Sequence, residues 1–334
     1  MPLTHLLDPE GNPVTFEDAP GYFDDAGVMP AEAVQNCIDD AKSYSRAWPY
    51  MAPSNANPDK NCRRKLVLQR CFGYGEAPAA AAARIEGTFN HKMYEETQPK
   101  WLKGWHREIT LPTDWGTKPA EGQYLEDAPL REISVADDSP RGWKKIRQIE
   151  LFPGFWTRMR LDRASPDWTT IIDHKFPKWP WTPKYKGDPY KGKALEYENN
   201  DARSDWPIQL SCYARGIKLL YGVDVKEAFV WRTCRGGALP EAMYRKIPVR
   251  LLSEDELWRR IKGHVLSTVE YLEGARQIID EYEEGSVEQD EALKQHCNGV
   301  PLDGQEKNLF NGWLCREGCP MKELCFDMAG MMRF

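Results

Sequence analysis

The segment from Lys145 to Phe176 constrains the fold most. Three β-prone runs, Ile146 to Phe152, Phe155 to Asp162 and Thr169 to Phe176, are separated only by the turn signals Pro153-Gly154 and Ser165-Pro166-Asp167. Spacing this tight predicts an antiparallel meander of three strands. The last run closes on Asp173-His174-Lys175. Side chains alternate along a strand, so Asp173 and Lys175 share one face and His174 takes the other. Asp162, ending the preceding run, brings a second carboxylate toward the same place. Two carboxylates beside an ammonium suit a hard divalent cation and the water it activates, which is the equipment for cutting a phosphodiester.

The rest of the composition is compatible with an ordered enzyme. A chain of 334 residues with 41% hydrophobic content can bury a sizeable core. No run of eighteen apolar residues occurs, and Met1-Pro2-Leu3-Thr4-His5 does not open like an export signal, so the expected location is the cytoplasm of a bacterium or phage-infected host, without a membrane partner. The net charge of −6 argues against a nucleic-acid partner until its distribution is considered. From Arg141 to Lys193 there are thirteen Lys or Arg against five Asp or Glu, whereas Ser253 to Leu293 holds four against twelve. The basic stretch is the one that carries Asp162, Asp173 and Lys175, which favours an anionic substrate.

Three regions are expected. Residues 1–60 read as an irregular lead-in with a helix starting near Pro30. Residues 61–294 read as the main domain, with a variable insertion at about 101–143, and 295–334 as a cysteine-bearing tail. Helical spacing or capping signals predict helices over Cys62 to Leu68, Pro78 to Glu96, Pro207 to Tyr221 and from Ser253-Glu254-Asp255-Glu256 to about Glu284. Gln209 and Tyr213, four apart, fall on one face of the third of these.

Taken together, Gly87-x3-His91, Leu161-Asp162, Ile172-Asp173-His174-Lys175 and Gln209-x3-Tyr213 resemble the ordered motifs of the RecB-type branch of the PD-(D/E)XK nucleases. The resemblance spans roughly residues 60 to 330. It implies an α/β fold with a restriction-endonuclease-like core, a mixed central β-sheet flanked by helices, and a metal-dependent DNA nuclease. Carried over by motif, Asp162, Asp173 and Lys175 would be catalytic. His91, Asp162, Asp173 and the backbone carbonyl of His174 would bind Mg²⁺ or Mn²⁺. Lys175 would position or polarise the attacking water, and Gln209 and Tyr213 would support the site and line the substrate strand. Glu150 is a further acidic candidate, read in the first instance as a sheet-edge carboxylate.

Nine cysteines without an export signal point to ligation rather than disulfides wherever they cluster. Cys315, Cys319 and Cys325 crowd one end of the chain, and a tetrahedral zinc or a cubane iron–sulfur cluster needs four thiolates. Cys62 resembles the N-terminal cluster ligand of the CRISPR-associated RecB-like exonucleases and the AddB-type helicase–nucleases. That resemblance implies a 4Fe-4S cluster on Cys62, Cys315, Cys319 and Cys325, stapling the two ends of the chain. Zn²⁺ is the alternative metal and Cys297 the alternative fourth ligand; the three-residue gap between Cys315 and Cys319 departs from the commoner two. Cys37, Cys71, Cys212 and Cys234 are read as core residues.

Between Phe176 and Asp205, lysines including Lys178 alternate with aromatics including Trp179 and Trp181. Cations for phosphates beside rings for bases suit a single DNA strand, and Arg63, Arg64, Arg158 and Arg160 are added phosphate candidates. The expected activity is exonucleolytic digestion of single-stranded or frayed DNA ends, in phage or bacterial recombination, repair or CRISPR adaptation, with a protein partner from one of those systems. No phosphate loop of a helicase motor occurs in the sequence. The alternative is a non-catalytic DNA-binding or scaffold subunit that keeps the nuclease fold and a structural zinc or iron–sulfur site.

Overall fold

The computed structural model describes residues 3–8, 12–27, 29–35, 38, 51–58, 61–72, 74–76, 102–113, 124–136, 143–175, 205–233, 244–283, 285–301, 319, 321, 324, 325 and 328. In chain order the elements are β1 (Leu3–Leu7), β2 (Pro13–Thr15), α1 (Ala19–Asp25), α2 (Arg63–Cys71), β3 (Tyr74–Glu76), β4 (His106–Leu111), β5 (Leu130–Ala136), β6 (Trp143–Phe152), β7 (Phe155–Thr157), β8 (Met159–Ala164) and β9 (Thr170–Lys175). They continue with α3 (Asp205–Tyr221), β10 (Glu227–Thr233), β11 (Tyr244–Pro248), α4 (Glu254–Glu281) and α5 (Val287–Asn298).

The chain has a mixed α/β architecture built on a five-stranded sheet in the order β11-β10-β9-β8-β4. Among the described residues its one parallel pair is β9 with β10, in register from Thr170 opposite Glu227 to Lys175 opposite Arg232. A parallel neighbour cannot be reached by a hairpin. The chain therefore leaves the end of β9, passes through α3 and returns as β10. Helix α3 packs against β6, β8 and β9. Gly216 permits the close approach, since a Cβ there would collide with the Met159 side chain. The helix ends where Gly222 takes φ +71° and donates its N–H to the Lys218 carbonyl at 2.9 Å.

The main core joins this sheet to α3 and α4, with Leu161, Ile171, Val230, Ile217, Ile261 and Val265 almost wholly buried. Ser253 caps α4, accepting the Glu256 N–H at 3.3 Å, as its capping-box sequence predicts. A second apolar cluster holds α2, α4 and α5 together through Val67, Leu68, Leu272, Ala275 and Leu293.

Three expectations need correction. The meander is not one sheet, because its second strand breaks at Arg158: β7 pairs with β6 in a small β5-β6-β7 sheet, while β8 pairs with β9. Thr157, fully buried at the break, donates its hydroxyl to the Met51 carbonyl at 2.7 Å, which satisfies a polar group that would otherwise be stranded. The stretch around 101–143 is more than an insertion, since it supplies β4, an edge of the central sheet, and β5. The described part of residues 1–60 is not irregular. Strands β1 and β2 pair antiparallel, β1 pairs parallel with β3, and Leu6, Phe23, Val34 and Ile38 form a core beneath them. The helix expected over Pro78 to Glu96 lies outside the described residues.

Candidate active site

Strands β8 and β9 are joined by a turn that fixes their register. Asp167 Oδ1 accepts the Ser165 hydroxyl at 2.6 Å and the Thr169 amide at 3.2 Å, and the Thr169 hydroxyl bonds both carboxylate oxygens at 2.9 Å. The Ser165 and Thr169 hydrogen bonds stabilise the charged carboxylate and hold its pKa down at about 2. Trp168 sits in the left-handed region at φ +62°, uncommon for a bulky residue. Its ring is clamped between His106 at 4.2 Å and Tyr221 at 4.5 Å between centroids, which offsets the local strain.

From this turn the ladder runs Ala164 opposite Ile171 and Arg163 opposite Ile172. Asp162 and Asp173 are the next residues on the two strands, beyond the last pair of the ladder. There the strands stop exchanging backbone bonds. Instead the Asp162 carboxylate reaches across and accepts the His174 N–H at 2.6 Å. The other side of Asp162 is interrupted too. The β4–β8 ladder pairs Arg107 with Arg163 and Ile109 with Leu161 but skips Glu108, which takes φ +42°. Glu108 turns its carboxylate to Arg160, with Nε at 2.8 Å. No sequence signal marked Glu108, which lies in the stretch taken for an insertion.

Asp173 is the centre of the constellation. Its side chain is 5% exposed, and a charge so buried must be compensated. Oδ1 accepts from Gln209 Nε2 at 3.2 Å, and Gln209 Nε2 also donates to the Tyr213 hydroxyl at 2.8 Å. Oδ2 faces the Lys175 ammonium at 2.8 Å and makes no other hydrogen bond among the described residues. Gln209 and Tyr213 are themselves buried, so the amide that orients Asp173 is held on both sides. His174 is buried on the opposite face, its ring 5.9 Å from that of Trp231 on β10. The expected alternation therefore holds: Asp173 and Lys175 on the α3 face, His174 turned away.

The donor chemistry fits a divalent cation. Asp173 Oδ2 is a buried carboxylate oxygen with unused lone pairs, the half-buried Asp162 carboxylate on the neighbouring strand bonds the adjoining His174 amide, and hard cations take oxygen ligands. Among the described residues no three His, Cys, Asp or Glu side chains converge at metal-binding distance. His91 lies outside the described residues, as do Lys178, Trp179 and Trp181. Glu150 is occupied at the β6–β7 hairpin, where it accepts the Gly154 N–H at 2.9 Å, consistent with a sheet-edge carboxylate.

The thiols occupy another region. Cys319 is pushed up in pKa by burial, opposed by its Met321 backbone contact and by Lys65, and pushed further by the neighbouring Cys62 and Cys325. Cys319 and Cys325 pack against the apolar cluster of α2, α4 and α5, Cys62 precedes the first residue of α2, and the three thiols do not converge at metal-binding distance; Cys315 lies outside the described residues. Cys297 is otherwise engaged. It is fully buried with its sulfur 3.6 Å from that of Cys71, and this contact together with burial raises its pKa. Cys212 is a core residue on α3, its pKa pushed up to about 12 by burial.

Arg64, expected at the DNA, is buried instead. Its Nε donates to the Val300 carbonyl at 3.0 Å and Nη2 to the Asn298 carbonyl at 2.9 Å, at the end of α5, while Nη1 lies 3.9 Å from Cys325 Sγ. A cation there satisfies orphan carbonyls and complements the helix dipole. Arg160 is exposed and paired with Glu108.

Comparison with protein-family models and with curated proteins finds no match. Among solved structures, the crystal structure of SSO0001 is similar at 12% identity and a TM-score of 0.34, over 72% of this chain and 84% of that one. A likeness of that size carries no argument about fold or activity. No helix among the described residues is long and apolar enough to cross a membrane.

Proposed function

We propose that this protein is a metal-dependent deoxyribonuclease with a RecB-type PD-(D/E)XK core, acting on single-stranded or frayed DNA ends in phage or bacterial recombination, repair or CRISPR adaptation. The observation that carries the reading is Asp173, buried between Gln209 and Lys175, with the Asp162 carboxylate bonded to the amide of the next residue, His174. Buried like charges are costly to keep, and a cation-binding site gives them a use.

In this reading Asp162, Asp173 and the His174 carbonyl hold Mg²⁺ or Mn²⁺, with His91 as an added ligand. The bound ion lowers the pKa of water and neutralises charge on the phosphate. Gln209 fixes the carboxylate plane of Asp173, and Tyr213 fixes Gln209. Lys175 holds the attacking water through its ammonium. Lys178, Trp179 and Trp181 contact the strand. Cys62, Cys315, Cys319 and Cys325 bind a 4Fe-4S cluster, or Zn²⁺ in its place, that ties the chain ends together. Cys325, whose sulfur lies 3.9 Å from Arg64 Nη1 in the first turn of α2 beside Cys62, supports that assignment.

Digestion of end-labelled single-stranded DNA with Mn²⁺ or Mg²⁺ tests the activity, comparing wild type with Asp173→Ala and Lys175→Ala. Wild type should shorten the label progressively and both variants should leave it intact. Equal degradation by all three proteins refutes the assignment, and DNA binding without cleavage by wild type favours the non-catalytic subunit.

A further inference from the structure

The thiols of Cys71 and Cys297 touch in the core between α2 and α5. Their sulfurs lie 3.6 Å apart, the Cys297 S–H donates to Cys71, and the two residues are 0% and 3% exposed respectively. A buried cysteine by itself is ordinarily a small, inert core residue. Two in contact are different: a disulfide holds its sulfurs about 2.05 Å apart, so about 1.5 Å of closure separates this pair from a bond. The place of the pair favours that closure. Cys71 is the last residue of α2 and Cys297 the last but one of α5, and the final turn of a helix opens more readily than its middle. The same opening admits a small, uncharged oxidant. Meanwhile the helices stay aligned, because Arg64 on α2 donates to the Asn298 and Val300 carbonyls, and Val67 and Leu68 share an apolar cluster with Leu293.

We propose that Cys71 and Cys297 form a reversible redox latch, a disulfide that a peroxide closes and a dithiol reopens. In closing, the Cys71 sulfur attacks one oxygen of hydrogen peroxide, the O–O bond breaks, and the departing hydroxide takes the thiol proton and leaves as water. Cys71 is then a sulfenic acid. The Cys297 sulfur attacks the Cys71 sulfur, the S–O bond breaks, and a second water leaves with the hydroxyl and the Cys297 proton. Two thiols have lost two electrons and peroxide has gained them. Cys71 reacts first, since the bond it accepts from Cys297 favours charge on its sulfur and it is the less buried of the two.

The latch fastens α5 to the N-terminal sheet. Soon after Cys71 the chain enters β3, whose Tyr74 and Glu76 pair with Leu3 and Leu6 of β1. Closure also withdraws Cys297 from exchange with Cys319 and Cys325, which pack against the same cluster. Neither effect depends on Asp173 or on the nuclease reading.

In the test, the full chain is prepared without oxygen, treated with stoichiometric hydrogen peroxide, alkylated at its remaining thiols and cut with trypsin without reduction. Tryptic peptides 71–84 and 295–307 each carry a single cysteine, so their linked product identifies the bond by mass. Wild type should give that product and lose it after dithiothreitol. Its thermal midpoint should rise by several degrees on closure and return on reduction, because the crosslink restricts the unfolded chain. Cys71→Ala and Cys297→Ala should give no linked product and no rise, and the wild-type mass result stands even where a variant folds poorly. Recovery of the two peptides unlinked overturns the latch, as does Cys297 joined to Cys319 or Cys325. A linked product found only in urea-unfolded protein, or one that leaves the midpoint unchanged, overturns it too.

Discussion

The carboxylate of Asp162 accepts the backbone N–H of His174 at 2.6 Å, so a side chain completes the sheet where the β8–β9 ladder stops. This bond holds the His174 peptide in place while its imidazole faces Trp231 on the other side of the sheet. Main chain and side chain of His174 thus serve different purposes.

Replacing the ring should therefore separate stability from activity. His174→Leu is expected to retain nuclease activity per folded molecule within a few-fold while costing about 1 to 3 kcal/mol in urea denaturation, as buried polar sites usually do. A loss of cleavage as complete as that of Asp173→Ala, in a folded protein, would place the imidazole in the reaction.

Gln209 reaches Asp173 and Tyr213 with one amide nitrogen. Gln209→Leu removes both contacts at similar volume, and such outer partners typically contribute on the order of 10- to 100-fold to metal affinity or activity. The measured quantity is Mn²⁺ affinity alongside the rate of strand digestion. Tyr213→Phe, which leaves the Asp173 bond intact, should lose less than Gln209→Leu in both.

The turn carboxylate Asp167 provides a pH test. Its pKa is lowered from 3.8 to about 2, so its contribution is fully present above the unfolded value and disappears as pH falls from about 4 toward 2. Thermal midpoints from pH 5 to 2 should fall less steeply in Asp167→Asn than in wild type. Parallel curves would mean that the turn carboxylate does not help set the register.

Arg64 distinguishes a structural cation from a DNA contact. Arg64→Met leaves the Asn298 and Val300 carbonyls without their charged donor, and hydrogen bonds to charged groups contribute about 1.5 to 3 kcal/mol each. Stability should fall by roughly 3 to 6 kcal/mol while single-strand affinity of the folded fraction keeps its salt dependence. A flatter salt slope would return Arg64 to the DNA.

The thiol region separates two metals. Protein purified without oxygen should be brown and contain iron, and Cys319→Ser should lose both colour and iron. A colourless sample containing zinc would overturn the iron–sulfur assignment and leave the staple itself in place.

Strands and local faces were legible in the sequence because period-two alternation is a short-range property: the Asp173 and Lys175 face, the Asp167 turn and the Ser253 cap all follow from neighbours. What escaped depends on partners far along the chain. Leu3 pairs with Tyr74, and His106 with Ala164, and neither contact leaves a local mark. Arg158 breaks a run without Gly or Pro that reads as one strand, because the two halves pack in different sheets. The charge of Arg64 suits a phosphate contact, and nothing local shows that its partners are carbonyls 234 and 236 residues away.

The place of β9, with β8 on one side and β10 on the other, bears on how the site would be observed in solution. Amides of a central strand exchange with deuterium only when the whole domain opens, so those of Ile171 and Ile172 should report global unfolding. The amide of His174 is held by a side-chain oxygen and not by the ladder. It should exchange sooner than Ile172 does two residues away, and faster still once Asp162 is protonated or replaced, giving a clock for the site that runs without substrate.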